Sequence, residues 1–135
     1  MKRVTFIVLG FVFACIAIAQ TLAANEKPGN PLREATFAWV QTSFDFGKIK
    51  VGIPVTHEFK FTNSGDAPLV ITSVQASCGC TVAEYSKEPI PSGGQGFVKA
   101  TYNAAKAGIF TKTVTINSNT QDGVVLLTIK GEVTN

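Results

Sequence analysis

The sequence predicts an all-β, immunoglobulin-like two-sheet sandwich of about seven strands, preceded by an N-terminal signal helix. Three observations support this prediction. Short stretches alternate between apolar and polar residues, turn residues recur at intervals of about a dozen residues, and no long helical pattern follows the apolar start of the chain. A small closed barrel is the second architecture that such spacing permits.

The first 24 residues have the three parts of a secretory signal peptide. Lys2 and Arg3 give a basic start, residues 4–19 form an apolar run, and Ala23 and Ala24 end a stretch with small residues. The basic end stays in the cytoplasm, the apolar run enters the translocon and bilayer, and the peptidase requires small side chains beside the cut. We expect cleavage after Ala23 or Ala24, and export to the periplasm or the cell exterior.

Three alternatives for this leader stay open. A further small-residue cleavage site follows Ala19. Residues 4–24 are long enough to remain in the membrane as an uncleaved anchor, because a spanning helix needs about 20 predominantly apolar residues. Cys15 is a candidate for lipidation, although Phe13 is bulky where lipoprotein signals prefer small residues, and the residues after Cys15 are still apolar.

Cleavage leaves about 110 residues, enough for one domain with a modest core. We expect a linker and lead-in over residues 25–41 and the sandwich over residues 42–135, with residues 33–40 forming either a first strand or an ordered lead-in. Removing Lys2 and Arg3 leaves ten basic against nine acidic side chains, so the net charge falls from +3 to about +1. The remaining lysines are scattered, which gives no support to nucleic-acid binding.

Alternation of period two is clearest in the strand predicted over residues 55–62. Its inward positions are apolar or aromatic apart from His57, and its outward positions are polar. Residues 63–68 end this strand, because Asn and Gly accept positive φ and Pro lacks an N–H. The other strands are predicted to begin near Thr42 and to cover residues 69–76, 81–85, 97–102, 110–116 and 125–133, with loops over residues 87–95, 104–108 and 117–123.

Cys78 and Cys80, separated by Gly79, are the strongest candidate site. They are the only cysteines outside the leader, and outside the cytoplasm thiols are commonly oxidised or bound to metal. A local disulfide is the first hypothesis, because residues two apart can bring their Cα atoms to ~4.4–6.8 Å and glycine permits a tight turn. Such a small ring would be strained and therefore easily reduced.

Three other hypotheses for Cys78 and Cys80 stay open. Two thiolates suit Cu(I), alone or shared across a dimer, and they are half of a zinc site. His57, the one histidine, lies far away in the sequence on a predicted inward face, where we expect a core role. The thiols could instead pack inertly at a strand end. They could also exchange electrons with another protein, although oxidoreductases usually carry Cys-x-x-Cys at a helix N-terminus.

Other residue clusters give little support to enzyme chemistry. Ser77 has no base beside it in the sequence, and the glycines of residues 92–96 are followed by neither Lys-Ser/Thr nor a helix, as a phosphate-binding loop requires. Four carboxylates fall mostly at turns or outward positions, where we expect them to be solvated: Asp45, Asp66, Glu84 and Asp122.

Six short motifs occur in a specific order and spacing between Phe44 and Val133. They are FDFG at 44–47, FKFTNSG at 59–65, PLVI at 68–71, SCGCT at 77–81, IPSGG at 90–94 and IKG at 129–131. In these motifs the chain resembles the bacterial family called domain of unknown function 1573. The resemblance implies an immunoglobulin-like sandwich of a kind found in exported bacterial proteins, pilus chaperones, and cilium and centrosome proteins. It implies no reaction, substrate or ligand, and likeness of fold alone does not establish function.

These observations predict an exported, non-enzymatic β-sandwich that binds another envelope or secreted protein or has a structural role. No cofactor is expected on this interpretation. The competing hypothesis is a thiol site on the same sandwich, in which Cys78 and Cys80 bind Cu(I) or take part in redox exchange. Neither hypothesis includes a nucleic acid or a small-molecule substrate, and membrane attachment is expected only through an uncleaved leader.

Overall fold

The computed structural model describes residues 33–135, so the predicted signal helix, Cys15 and most of the predicted linker lie outside the described residues. This part of the chain contains no helix, and so none that is long and apolar enough to cross a membrane. Its eight strands are β1 (Phe37–Trp39), β2 (Ser43–Lys50), β3 (Val55–Asn63), β4 (Ile71–Ala76), β5 (Thr81–Tyr85), β6 (Gln95–Tyr102), β7 (Gly108–Ser118) and β8 (Val124–Thr134).

The strands form two four-stranded sheets, which confirms the predicted immunoglobulin-like sandwich and excludes the closed barrel. The first sheet has the order β1-β3-β6-β5 and the second has the order β2-β8-β7-β4. This is the arrangement of a constant-type immunoglobulin sandwich whose first strand is divided between the sheets. β1 pairs antiparallel with β3, whereas β2 pairs parallel with β8. That division explains why there are eight strands instead of about seven, and it places β1 within the predicted lead-in.

The inward faces of the two sheets meet in one hydrophobic core. Removing this apolar surface from water, at about 25 cal/mol per Å², is the main favourable term in folding. The alternation in the sequence identifies most of the buried residues of β3, β6, β7 and β8: Phe59, Phe61, Val98, Ala100, Tyr102, Phe110, Val114, Ile116, Leu127, Ile129 and Val133.

One predicted strand is shorter than the sequence indicates. The apolar run from Leu69 predicts a strand over residues 69–76, but β4 begins only at Ile71. Leu69 instead forms an isolated antiparallel bridge with Ile90, and its N–H donates to the Ile90 carbonyl at 2.8 Å. Leu69 and Ile90 are both buried. Leu69 is therefore buried by pairing with a loop residue. An apolar residue in an alternating pattern looks the same whether it pairs with a loop or with a strand, so the sequence does not reveal the difference.

Asn63 is a buried polar residue that ties together three segments at one end of the sandwich. Its Oδ1 accepts hydrogen bonds from the N–H groups of Thr36 at 3.2 Å and Gly65 at 3.0 Å. Its Nδ2 donates to the carbonyls of Ala67 at 2.7 Å and Ile90 at 3.0 Å. All four hydrogen-bonding positions of the amide are used, which is what makes its complete burial tolerable.

Gly131 marks a close approach between β8 and its neighbours. A Cβ at this position would lie 2.9 Å from the Gly47 carbonyl oxygen and 2.9 Å from Cε1 of Phe110. Cβ atoms do not occur at such distances, so only glycine fits unless the neighbours move. The glycine in the IKG motif is therefore explained by packing.

Candidate thiol site and the free edge of β5

Cys78 and Cys80 lie in the turn that joins β4 to β5. β4 is an edge strand of the second sheet and β5 is an edge strand of the first, so the turn crosses from one sheet to the other at the side of the sandwich. The two cysteines form a disulfide bond, with their Cα atoms 5.3 Å apart. This separation lies within the range of ~4.4–6.8 Å that disulfides tolerate.

Hydrogen bonds to β7 hold the β4 side of this turn. The Ser77 N–H donates to the Thr113 carbonyl at 2.9 Å, and the Ser77 hydroxyl accepts from the Thr113 N–H at 3.2 Å. Ser77 and Gly79 are exposed. The role of Ser77 here is therefore to anchor the turn to its neighbouring strand.

The β5 side of the turn is held in a similar way. The Asn103 N–H donates to the Cys80 carbonyl at 3.0 Å, and the Thr81 N–H donates to the Cys78 carbonyl at 3.3 Å. The Thr81 hydroxyl is 3.9 Å from Sγ of Cys78. Both cysteines are half-buried, and Cys80 packs against the hydrophobic core. The backbone position of the turn thus depends on hydrogen bonds as well as on the disulfide.

His57 lies on β3, where packing and one hydrogen bond occupy its ring. The ring stacks on Phe44 of β2 with centroids 3.8 Å apart and meets Phe59 edge-on at 4.6 Å. The Gln41 side-chain amide donates to Nε2 of His57 at 2.8 Å. Desolvation by burial lowers the pKa of His57, and the neighbouring Glu58 carboxylate opposes this shift. The neutral ring is therefore the form that the fold favours.

The acidic residues singled out in the sequence are not brought together. Asp45, Asp66, Glu84 and Asp122 are all exposed. Oδ1 of Asp45 accepts a hydrogen bond from the Gly47 N–H at 2.8 Å, within β2 where its pairing with β8 shifts register. Within residues 33–135 there is no group of three or more His, Cys, Asp or Glu side chains placed to hold a metal ion.

The free edge of β5 is a feature that the sequence pattern did not reveal. Edge strands expose unpaired backbone groups, and proteins usually protect them by shortness, bulges or lysines. β1 has only three residues, and irregular pairing interrupts both β2 and β4. β5 pairs with β6 without interruption over Thr81–Tyr85, and the exposed Val82 lies on its outer face. Among the four edges described, β5 is thus the least protected.

The chain belongs to the family described as "Protein of unknown function (DUF1573)", whose pattern matches residues 37–133. The match begins at the first residue of β1 and ends in β8, so it covers nearly the whole sandwich. No curated protein matches the chain.

Solved structures with the same fold come from several kinds of protein. A protein of unknown function from Porphyromonas gingivalis W83 is similar with a TM-score of 0.66 and 19% identity, over 74% of this chain and 47% of that one. A PapD-like domain of human CEP192 is similar with a TM-score of 0.63 and 9% identity, over 76% of this chain and 87% of that domain. The secreted serine protease VesC from Vibrio cholerae is similar with a TM-score of 0.56 and 18% identity, over 76% of this chain and 23% of the protease.

These likenesses establish the fold and nothing finer. The chain spans about half of the Porphyromonas gingivalis protein and less than a quarter of the protease. The same sandwich thus occurs as one part of larger proteins of different kinds, and a fold shared at such low identity does not carry an activity with it.

Proposed function

We propose that this chain is a non-enzymatic β-sandwich module of the bacterial envelope, and that it binds another protein by adding a strand of that protein to the free edge of β5. The single observation that carries the proposal is the regular edge of β5, the least protected of the four edges described. Addition of an extended segment to such an edge is a recurrent mode of peptide recognition, in which backbone hydrogen bonds supply affinity and side-chain pockets supply specificity.

The direction of the backbone groups on β5 supports this mode. The Cys80 carbonyl accepts from Asn103, and the Ser86 N–H donates to the Phe97 carbonyl at 3.1 Å, so the groups of these residues point towards β6 and the loop after it. Because backbone groups alternate in direction along an antiparallel strand, the N–H and C=O groups of the odd-numbered residues of β5 point away from β6. Ala83 contributes both a donor and an acceptor to the free edge.

A groove beside β5 offers room for partner side chains. Its volume is about 350 Å³, and it is lined by Ala83, Glu84, Tyr85, Lys87 and Phe97. Nζ of Lys87 lies 5.8 Å from the centre of the Tyr85 ring. The groove therefore combines aromatic surface with one acidic and one basic group, a composition suited to an amphipathic segment.

Site-specific photo-crosslinking tests the proposal in the producing cell. A photoreactive amino acid at Glu84, which is exposed on the outer face of β5, should give a discrete covalent adduct with one partner protein. Ala83→Pro should abolish this adduct, because proline removes the N–H that the partner strand would use. The fold should persist, since proline is tolerated on an edge strand whose N–H faces outward.

Ala76→Pro is the matched control. The Ser77 N–H points to β7, so alternation directs the Ala76 N–H to the free edge of β4 in the other sheet. The same chemical change there should leave the adduct intact. An adduct that survives both substitutions, or the absence of any adduct from β5, would overturn docking at this edge.

The envelope location is part of the proposal and has its own test. The leader-like sequence of residues 1–24 and the Cys78–Cys80 bond support a compartment outside the cytoplasm. The intact mass of the chain recovered from fractionated cells should correspond to cleavage after Ala23 or Ala24. An uncleaved chain in the cytoplasmic fraction, with both thiols reduced, would refute it.

A further inference from the structure

The Cys78–Cys80 bond is explained neither by the β5 edge nor by the stability of the sandwich. The two cysteines are two residues apart, so their bond closes a very short loop and constrains the unfolded chain little. It also joins no two strands across the core, unlike the inter-sheet disulfide of antibody domains. We infer that this bond is a thiol–disulfide exchange site that takes electrons from a dithiol of another protein.

Access to the bond is open on the outside of the turn. Gly79, between the two cysteines, is exposed, and a Cβ built on it would meet no atom within 4 Å. Cys78 and Cys80 are themselves only half-buried. The turn is therefore open to an approaching protein at the residue between the two cysteines, and exposed disulfides are the labile ones.

The turn has the means to keep its place when the bond is broken. The hydrogen bonds between Ser77 and Thr113 hold one side, and the bond from Asn103 to the Cys80 carbonyl holds the other. None of these bonds involves a sulfur atom. The reduced thiols should therefore stay close together and be able to close again, which reversible exchange requires.

Packing distinguishes the two cysteines. Cys80 packs against the hydrophobic core, whereas Cys78 is not part of that packing. An incoming thiolate approaches in line with the S–S bond, so the cysteine outside the core packing is the target that the packing favours. Cys78 is accordingly the residue that forms the mixed disulfide, and Cys80 is the residue that leaves.

The exchange proceeds in two balanced steps. A partner thiolate attacks Sγ of Cys78, the Cys78–Cys80 bond breaks, and Cys80 leaves as a thiolate. The partner's second thiolate then attacks the partner sulfur of the mixed disulfide, which releases Cys78 as a thiolate and forms a disulfide in the partner. Cys78 and Cys80 then take up the two protons that the partner thiols lost on becoming thiolates. The net transfer is two electrons and two protons, so the co-reactant is a dithiol and its product is a disulfide.

A redox titration of the full chain tests the exchange. The chain is produced with its leader, recovered in the form the cell gives it, and equilibrated anaerobically with mixtures of reduced and oxidised dithiothreitol. Free thiols are then alkylated and counted by intact mass. The measured quantity is the ratio of reduced to oxidised dithiothreitol at which half of the bond is reduced. This ratio should be at least about ten-fold lower for Cys78–Cys80 than for the inter-sheet disulfide of an antibody constant domain in the same mixtures.

Two results of this titration would overturn the proposal. One is a difference from the antibody domain of less than ten-fold, which is the behaviour of a structural disulfide. The other is loss of the β-sheet circular dichroism signal on reduction, because a bond needed for folding cannot cycle. Retention of that signal in the reduced chain is the expected result.

Single-cysteine variants test which sulfur is attacked. With oxidised glutathione as the probe, Cys80→Ser leaves Cys78 free and should form the mixed disulfide several-fold faster than Cys78→Ser, which leaves Cys80 free. Equal or reversed rates would overturn the assignment of Cys78. The matched background for both measurements is the double Cys78→Ser, Cys80→Ser variant, which should form no adduct outside the leader.

The competing copper hypothesis is resolved by a third measurement. Reduced protein is titrated anaerobically with Cu(I) alone, in competition with a Cu(I) chelator. Tight binding of one equivalent that depends on both cysteines, together with failure to oxidise dithiothreitol, would replace exchange by metal binding. The exchange proposal does not rest on docking at β5. Absence of the photo-crosslinked adduct would therefore contradict docking at β5 without contradicting thiol–disulfide exchange.

Discussion

Replacement of Asn63 by alanine should be among the most destabilising single changes in the sandwich. The side chain is completely buried and makes four hydrogen bonds to the backbone of three separate segments. A hydrogen bond contributes about 1 kcal/mol net, and a buried group left without its partner costs about 1–3 kcal/mol. Water can reach some of the freed groups near the surface, so the expected loss is about 3–5 kcal/mol.

Urea unfolding followed by tryptophan fluorescence and circular dichroism measures this loss. Asn119→Ala is the matched control, because Asn119 also bonds backbone groups but is exposed. Its side chain accepts from the Val70 N–H at 2.8 Å and donates to the Pro68 carbonyl at 2.9 Å. Its loss should be about 1 kcal/mol or less, since water replaces the exposed bonds. Equal losses in the two variants would refute the reasoning from burial.

Three further predictions follow from packing, titration and loop closure. Gly131→Ala should cost about 1–3 kcal/mol of unfolding free energy through overpacking. Gly79→Ala faces open space and should change the unfolding free energy by less than about 0.5 kcal/mol. The same urea titration compares the two variants. His57 has a pKa lowered below 6.5 in the fold, so the unfolded chain binds more protons between that lowered value and 6.5, and stability should fall as the pH drops below 6.5. Urea midpoints at pH 7.5 and pH 5.5 should differ less in His57→Gln than in the parent chain; an unchanged difference would count against His57 as the source. A disulfide between residues two apart removes little entropy from the unfolded chain. The double Cys78→Ser, Cys80→Ser variant should therefore lose about 1.5 kcal/mol or less of unfolding free energy in the absence of reductant. A loss above about 3 kcal/mol would show that the bond has a structural role.

Much of the fold can be predicted from local pattern alone. Alternation over residues 55–62 predicts β3 and its inward face, and the dense turn signal from Asn63 to Pro68 predicts where that strand ends. The short strand over residues 81–85 has the predicted bounds. These predictions succeed because side-chain direction in a strand has a period of two and because Asn, Gly and Pro impose their turn conformations locally.

The candidate site is only partly predictable in the same way. The spacing of Cys78 and Cys80 is sufficient to propose a local disulfide, since only Gly79 separates the two cysteines whatever the rest of the chain does. The pairing of Leu69 with Ile90 and the bonds of Asn63 to Thr36 and Ile90 are different, because they join segments more than 20 residues apart in the sequence. No local pattern in those segments specifies the partner.

The sequence by itself determined most of the strand-forming segments, their inward faces, the turns between them and the closeness of Cys78 to Cys80. Each of these depends on residues within a few positions of one another. Only the tertiary structure decided the division of the first strand between β1 and β2, the order of strands in the sheets and the exposure of β5 as a free edge. The physical reason is that sheet order depends on which distant strands bury each other's apolar faces, and that outcome belongs to the whole chain.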